Sequence, residues 1–164
     1  VKLASDGSLA AGFEPGGGFN GSVQALTWLA AEDALYVGGA FSRYQTSIVA
    51  NRIAKLDSTG AMAAGFSATG FNSTVFALDY DADNDLIWAG GAFTSFRGVT
   101  QGRMAAMGRD GSRVAAFNTP VGFNSDVRAI SSSYWGVVAG GLGSSYEGDI
   151  SGFLARLHVN ASMD

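Results

Sequence analysis

The sequence predicts an all-β chain assembled from three repeats of about 52 residues. Three observations carry that expectation. Landmarks recur at a fixed interval: Phe19 opens FNGSV, Phe71 opens FNSTV and Phe123 opens FNSDV. The apolar runs between them are too short for lone helices and are bounded by turn residues. Glycine is abundant, 24 of 164 residues, and lies between strand-forming residues along the whole chain. That distribution belongs to tight turns and close strand contacts, not to a flexible linker.

Each unit then reads as a series of strands. A turn containing Asn leads into VQALTWL (23–29) in the first unit and VFALDY (75–80) in the second. A short polar connection, AAED or DADND, precedes ALYVGGAF or LIWAGGAF, an apolar run that reads as a fully buried strand. YVGGAF at 36–41 and WAGGAF at 88–93 keep the same period, and VAGGLG at 138–143 follows two residues early. Glycine weakens a strand interior and marks a close backbone approach. The Gly-Gly pair is therefore expected where strands crowd together, as near the axis of a propeller, and not in a ligand loop. After a polar loop, NRIAKLD (51–57), GRMAAMG (102–108) and GFLARLH (152–158) supply the last strand. A turn of the SDGS, STGA or RDGS type closes the unit. No long 3.6-residue periodicity carries helix caps, so three or four strands per unit are expected. The units run approximately 3–55, 56–106 and 107–157, with 158–164 read as the start of a fourth.

Composition narrows the function. The chain is 47% apolar and 15% charged, well under the roughly 25% charge of average domains, which suits a packed fold. Its net charge of −4 comes without a Lys/Arg stripe, which argues against nucleic acid as a partner. No apolar run approaches the roughly 20 residues of a membrane-spanning helix. Cysteine is absent, so neither disulfides nor thiol chemistry contributes.

Catalytic constellations are scarce, and the chain is read as a non-enzyme without a cofactor. His158 is the only histidine, so any Ser-His-Asp arrangement would depend on it; a strand-end residue is the simpler reading. DYDADND (79–85) begins like a calcium loop and makes Asp79, Asp81 and Asp83 a weak calcium candidate. The pattern then fails, with Asn84 where the loop needs Gly and Gly90 where it needs the bidentate Glu. GGGFNG (16–21) fits G-x-G-x-x-G but leads into a strand pattern, not the helix a phosphate loop requires. NGS (20–22), NST (72–74) and NAS (160–162) fit the glycosylation pattern, and two coincide with the repeat's own turn. Glu14, Glu32 and Glu147 are scattered and suggest no glycosidase pair.

The loops after the Gly-rich strand vary most: SRYQTSIVA (42–50), TSFRGVTQG (94–102) and SSYEGDISG (144–152). Variable loops on a rigid scaffold commonly carry function. Arg43, Tyr44, Phe96, Arg97 and Tyr146 are accordingly the binding-loop candidates. An aromatic at the same place in all three loops equally suits packing within the repeat.

The order GFN-x-x-V, (A/V)GG-x-F, R-(I/M)-A, DG and F resembles the delta-60 repeat family of β-propeller-type proteins, over nearly the whole chain. The resemblance implies a repeat scaffold of large secreted, cell-surface or phage structural proteins, and it brings no catalytic residues with it. Unit three departs from the pattern: Gly143 replaces the Phe of GGAF, and Phe153 stands where Arg52 and Arg103 stand. Propellers typically have about 4–8 blades, so three units imply a segment of a longer repeat protein, a ring completed by further copies, or, alternatively, a β-trefoil. The expected function is a structural and interaction module of a surface or virion assembly such as a phage tail. Its partners would be itself or neighbouring repeat units, with a surface glycan or protein receptor on the loops. A carbohydrate-binding, lectin-like domain is the alternative.

Overall fold

The structure is a computed structural model and describes residues 2–67 and 69–163. These residues form an all-β architecture without an α-helix, and no sheet closes on itself. Unit one holds β1 (Val23–Leu29), β2 (Ala34–Gly39), a short hairpin of β3 (Arg43–Tyr44) and β4 (Ile48–Val49), and β5 (Ile53–Leu56). Unit two repeats this with β6 (Val75–Asp81), β7 (Leu86–Gly91), β8 (Ser95–Phe96), β9 (Val99–Thr100) and β10 (Met104–Met107). Unit three does so with β11 (Val127–Ser133), β12 (Gly136–Gly141), β13 (Ser145–Tyr146), β14 (Asp149–Ile150) and β15 (Leu154–Leu157).

In each unit three strands form one antiparallel sheet, ordered β1-β2-β5, β6-β7-β10 and β11-β12-β15. Two-residue strands make the separate hairpins β3-β4, β8-β9 and β13-β14. The same bulge recurs near the start of each first strand, at Val23/Ala25, Val75/Ala77 and Val127/Ala129. The last strand is shorter than its sequence pattern because Arg52 and Arg103 adopt φ of 68° and Phe153 of 73°. A left-handed residue turns the chain and cannot continue a ladder.

Residues 158–163, expected to open a fourth unit, form a turn equivalent to those that follow β5 and β10. Leu157 bridges to Met163 as Leu56 does to Met62 and Met107 to Arg113. At the other end of the chain, Leu3 bridges to Leu9 in the same way.

The sheets pack side by side. β6 lies against β1 and β2 on one side and against β11 on the other, and β11 also meets β7. The Gly-Gly pairs make this packing possible. A Cβ on Gly38 would stand 2.7 Å from Val75 Cγ1, and one on Gly90 2.5 Å from Val127 Cγ1, both on the following unit. The second glycine of each pair faces its own unit: a Cβ on Gly39 would meet Ser22 O at 2.1 Å, and one on Gly91 would meet Thr74 O at 2.1 Å. Three apolar clusters follow, one centred on Phe41 and Tyr44, one on Ile87 and Phe93, and one on Trp88 and Phe117. The core is thus divided between unit interiors and the seams between units.

Candidate functional site

The residues that recur most faithfully build the hairpins. Asn20 Oδ1 accepts from the backbone N–H groups of Ser42 and Arg43, both at 2.9 Å. Asn72 does the same for Thr94 and Ser95 at 2.9 and 3.0 Å, and Asn124 for Ser144 and Ser145 at 2.9 and 3.2 Å. The phenylalanine before each Asn bridges to the hairpin aromatic: Phe19 to Tyr44, Phe71 to Phe96 and Phe123 to Tyr146. Phe71 and Phe96 stack with centroids 4.4 Å apart. The FN pair is therefore a clamp that fixes the hairpin to the segment entering the unit.

This placement corrects part of the loop reading. Tyr44, Phe96 and Tyr146 are 0%, 1% and 2% exposed, so their faces are core and no ligand can stack on them from the surface. Tyr44 Oη donates to Gly60 O, and Tyr146 Oη donates to Ala161 O at 2.7 Å. Phe96 has no hydroxyl, and its neighbour Arg97 supplies the missing donor, Nη1 to Gly111 O at 2.9 Å. Arg97 is accordingly half-buried and structural. Arg43 remains exposed, opposite Val49 in the β3-β4 register. The equivalent outward pairs are Ser95 with Thr100 and Ser145 with Ile150. These positions, not the rings, are what the hairpins present to solvent.

The calcium candidates do not converge. Asp79 Oδ2 accepts from Ser132 N–H at 2.5 Å and Ser132 Oγ at 2.7 Å, across the seam to unit three. Asp81 is buried, and its carboxylate accepts from the N–H groups of Asp83 and Asn84, from Asn84 Nδ2 and from Trp88 Nε1 at 3.1 Å. It shapes the β6-β7 turn and satisfies the indole of a fully buried Trp. Asp83 is exposed at the tip of that turn. Among the described residues no group of three or more such side chains is placed to hold a metal.

His158 lies in the closing turn, where its N–H donates to Ser162 O and its carbonyl accepts from Ala161 N–H, both at 2.9 Å. GGGFNG runs into β1 as expected of a turn. Asn160 Oδ1 accepts from Ser162 N–H and Oγ, the turn role that Asp6 and Asp110 fill for Ser8 and Ser112.

One polar cluster was not visible in the sequence. Glu32, at the end of the β1-β2 connection, pairs with Lys55 on β5 and with Arg109 Nη1 at 3.0 Å. Arg109, in the turn after β10, also pairs through Nε with Asp85 at 2.5 Å and donates to Tyr80 Oη at 3.0 Å. Tyr36 Oη donates to Arg109 O at 2.9 Å, and Lys55 sits 5.2 Å above the Tyr36 ring. The hydrogen bond from Lys55 holds Glu32 below the usual carboxylate range, and Arg109 does the same for Asp85. Burial works to lower Lys55, but its contacts with Glu32 and Tyr36 outweigh that and keep it raised. Every charged group here is answered by another, so the cluster ties unit one to unit two. Asp85 recurs as Asp33, but Glu32 and Arg109 have no like residue at the equivalent positions of the other units, which is why the repeat did not reveal the cluster.

An apolar groove of about 430 Å³ lies on unit one, lined by Phe13, Phe19, Val23, Leu26, Trp28 and Val37, with Lys2 Nζ 5.7 Å above the Trp28 ring. At the far end of the molecule, Tyr134 and Trp135 project from the β11-β12 turn, 76% and 70% exposed.

The sequence matches no protein-family model and no curated protein. Among solved structures, the chain is similar to the crystal structure of the computationally designed Ika8 protein, with a TM-score of 0.57 and 15% identity. The match covers 87% of this chain and 35% of that one, so the chain spans about a third of the designed protein's length. At that identity the likeness concerns the fold alone: most of this chain's path follows part of a larger designed protein.

Proposed function

We propose that this chain is a non-enzymatic structural and interaction module, a propeller-type repeat scaffold that presents its hairpins for recognition within a larger surface or virion assembly. The observation that carries the reading is the division of labour inside each hairpin. The inward ring and the Asn clamp stay nearly constant, while the outward pair changes from Arg43 and Val49 to Ser95 and Thr100 to Ser145 and Ile150. Separate sheets set side by side support blades of an incomplete propeller over a trefoil. Ile150, the apolar member of the third outward pair, is 89% exposed and so available for contact. The test is capture of glycans and surface proteins by the immobilised chain, compared with an Arg43→Ala, Ile150→Ser double variant. Capture should fall at least tenfold in the variant with an unchanged thermal midpoint. Capture that the variant leaves intact, or turnover of a bound substrate, overturns the proposal.

The lectin-like reading is favoured by one feature, the exposed Tyr134–Trp135 pair, since flat aromatic faces suit sugar rings. A glycan array probed with the wild type and with Trp135→Ala decides it: binding must be present and must be lost in the variant.

A further inference from the structure

We infer that unit three of one chain docks, head to tail, on unit one of a second copy, through the same contact that joins consecutive units within the chain. The inference rests on the scaffold reading above and names its partner.

The internal contact occurs twice with the same chemistry. Gly38 on β2 leaves room for Val75 and Leu78, whose methyl carbons would lie 2.7 and 3.2 Å from a Cβ there. Gly90 on β7 does so for Val127 and Ile130, at 2.5 and 2.8 Å. Beside this cleft Phe71 N–H donates to Asn51 O at 3.0 Å, and Phe123 N–H donates to Gly102 O at 3.2 Å. The segment entering each unit is thereby bonded to the backbone just before the last strand of the preceding unit.

Each end of the chain carries one half of this contact. Val23 and Leu26 repeat Val75 and Leu78, yet Val23 is 42% exposed where Val75 and Val127 are 0% and 1%. Together with Phe19 and Trp28 they line the apolar groove. On unit three, Gly140 repeats Gly38 and Gly90, but a Cβ there would meet only Leu154 and Phe153 of its own unit. Leu154 repeats Ile53 and Met104, which are 1% and 0% exposed, and is itself 60% exposed. Between two copies, Gly140 would receive Val23 and Leu26, Gly152 O would accept from Phe19 N–H, and the partner's Leu157–Met163 turn would displace the Leu3–Leu9 turn, which holds the equivalent place beside unit one.

Unit three's departures from the repeat support the second copy as the occupant. Leu142 stands where units one and two have Ala40 and Ala92, and Phe153 where they have Arg52 and Arg103. Both replacements are exposed, 57% and 59%, and both add apolar residues next to the Gly140–Gly141 strand end and Leu154. Exposed apolar surface of this extent marks an interaction site. The two faces differ, so the contact is heterologous, and it closes into a ring when the rotation between copies allows.

The test is native mass of the full 164-residue chain as wild type, Leu26→Glu and Leu154→Glu, with circular dichroism confirming that each is folded. The wild type is expected at a multiple of 16.8 kDa and each variant as a monomer. An equimolar mixture of the two variants should recover a dimer, because one keeps an intact unit-three face and the other an intact unit-one face. A symmetric contact of one face with itself cannot give that recovery. If either variant misfolds, Val23→Glu and Phe153→Glu test the same two faces. A wild type that stays monomeric at its highest soluble concentration overturns the inference, as do oligomers whose mass no substitution changes. Hairpin-dependent capture by such a chain would leave the scaffold reading standing while this docking falls.

Discussion

Asn72 shows how one side chain sets a repeat. Its amide oxygen accepts two backbone N–H groups more than twenty positions later, which anchors β8 to the segment entering unit two. Its Nδ2 donates to Thr94 Oγ1 at 2.9 Å, so the whole amide is used. Asn72→Ala should lower stability by about 1 kcal/mol, the usual worth of a partly exposed hydrogen-bonded group. The shift should appear in the denaturant midpoint at constant slope. Asn72→Asp keeps the acceptor and should recover most of the loss; equal loss in both variants would assign the effect to something other than the clamp. The exchange at the next position follows the same logic. Where Phe96 lacks the hydroxyl of Tyr44 and Tyr146, Arg97 donates to the carbonyl that would otherwise be left without it.

At the scale of the element, the Gly-Gly strands are built for contact on both sides. Glycine inside a strand is unfavourable by itself, and here it is retained because β7 has β11 on one side and its own chain on the other. Gly90→Val should destabilise by about 1–3 kcal/mol, since the added carbons meet Val127 and Ile130 with little freedom to yield. The equivalent change in unit three is a control. A Cβ on Gly140 meets the end of Leu154 at 3.2 Å, a side chain free to move, and Phe153 O no closer than 3.3 Å. Gly140→Val, measured on dilute protein, should therefore cost less than about 1 kcal/mol. Equal costs at the two sites would mean that the seam between units two and three is not what requires Gly90.

Across the whole molecule, units are held by apolar seams and, between units one and two, by the charged cluster around Arg109. Glu32 and Asp85 have folded-state pKa values below their ordinary 4.5 and 3.8. Their contribution is therefore present above those ordinary values and is lost as pH falls through the lowered ones. The wild type should lose stability from about pH 5 downward, as expected for paired carboxylates. Glu32→Gln should be less stable than the wild type at pH 7, with the difference shrinking toward pH 3. Denaturation curves at several pH values check this; a constant difference would show that Glu32 acts through packing and not through charge. Because these groups are partly exposed, salt should weaken the effect.

Much of the architecture was legible because the chain repeats itself. The recurrence of FN, of the Gly-Gly strand and of the DG-type turn set the number of units, the strand class and the close approach at glycine. These are local requirements, and each residue type carries its own reason. Three things needed the fold. The sequence could not decide which way the hairpin aromatics point, and a two-residue strand has too little alternation to say; the structure turns Tyr44, Phe96 and Tyr146 inward. In the partnership of Glu32, Lys55, Arg109 and Asp85, Asp85 recurs as Asp33 but Glu32 and Arg109 have no like residue at the equivalent positions of the other units, so no periodicity announces it. The exposure of Val23 and Leu26, and of Leu154, depends on which neighbours each unit has. The sequence determined what each unit is, because turns, clamps and strand patterns act over short distances. Only the tertiary structure decided which surfaces those units cover and which they leave exposed, because burial is a property of packed neighbours.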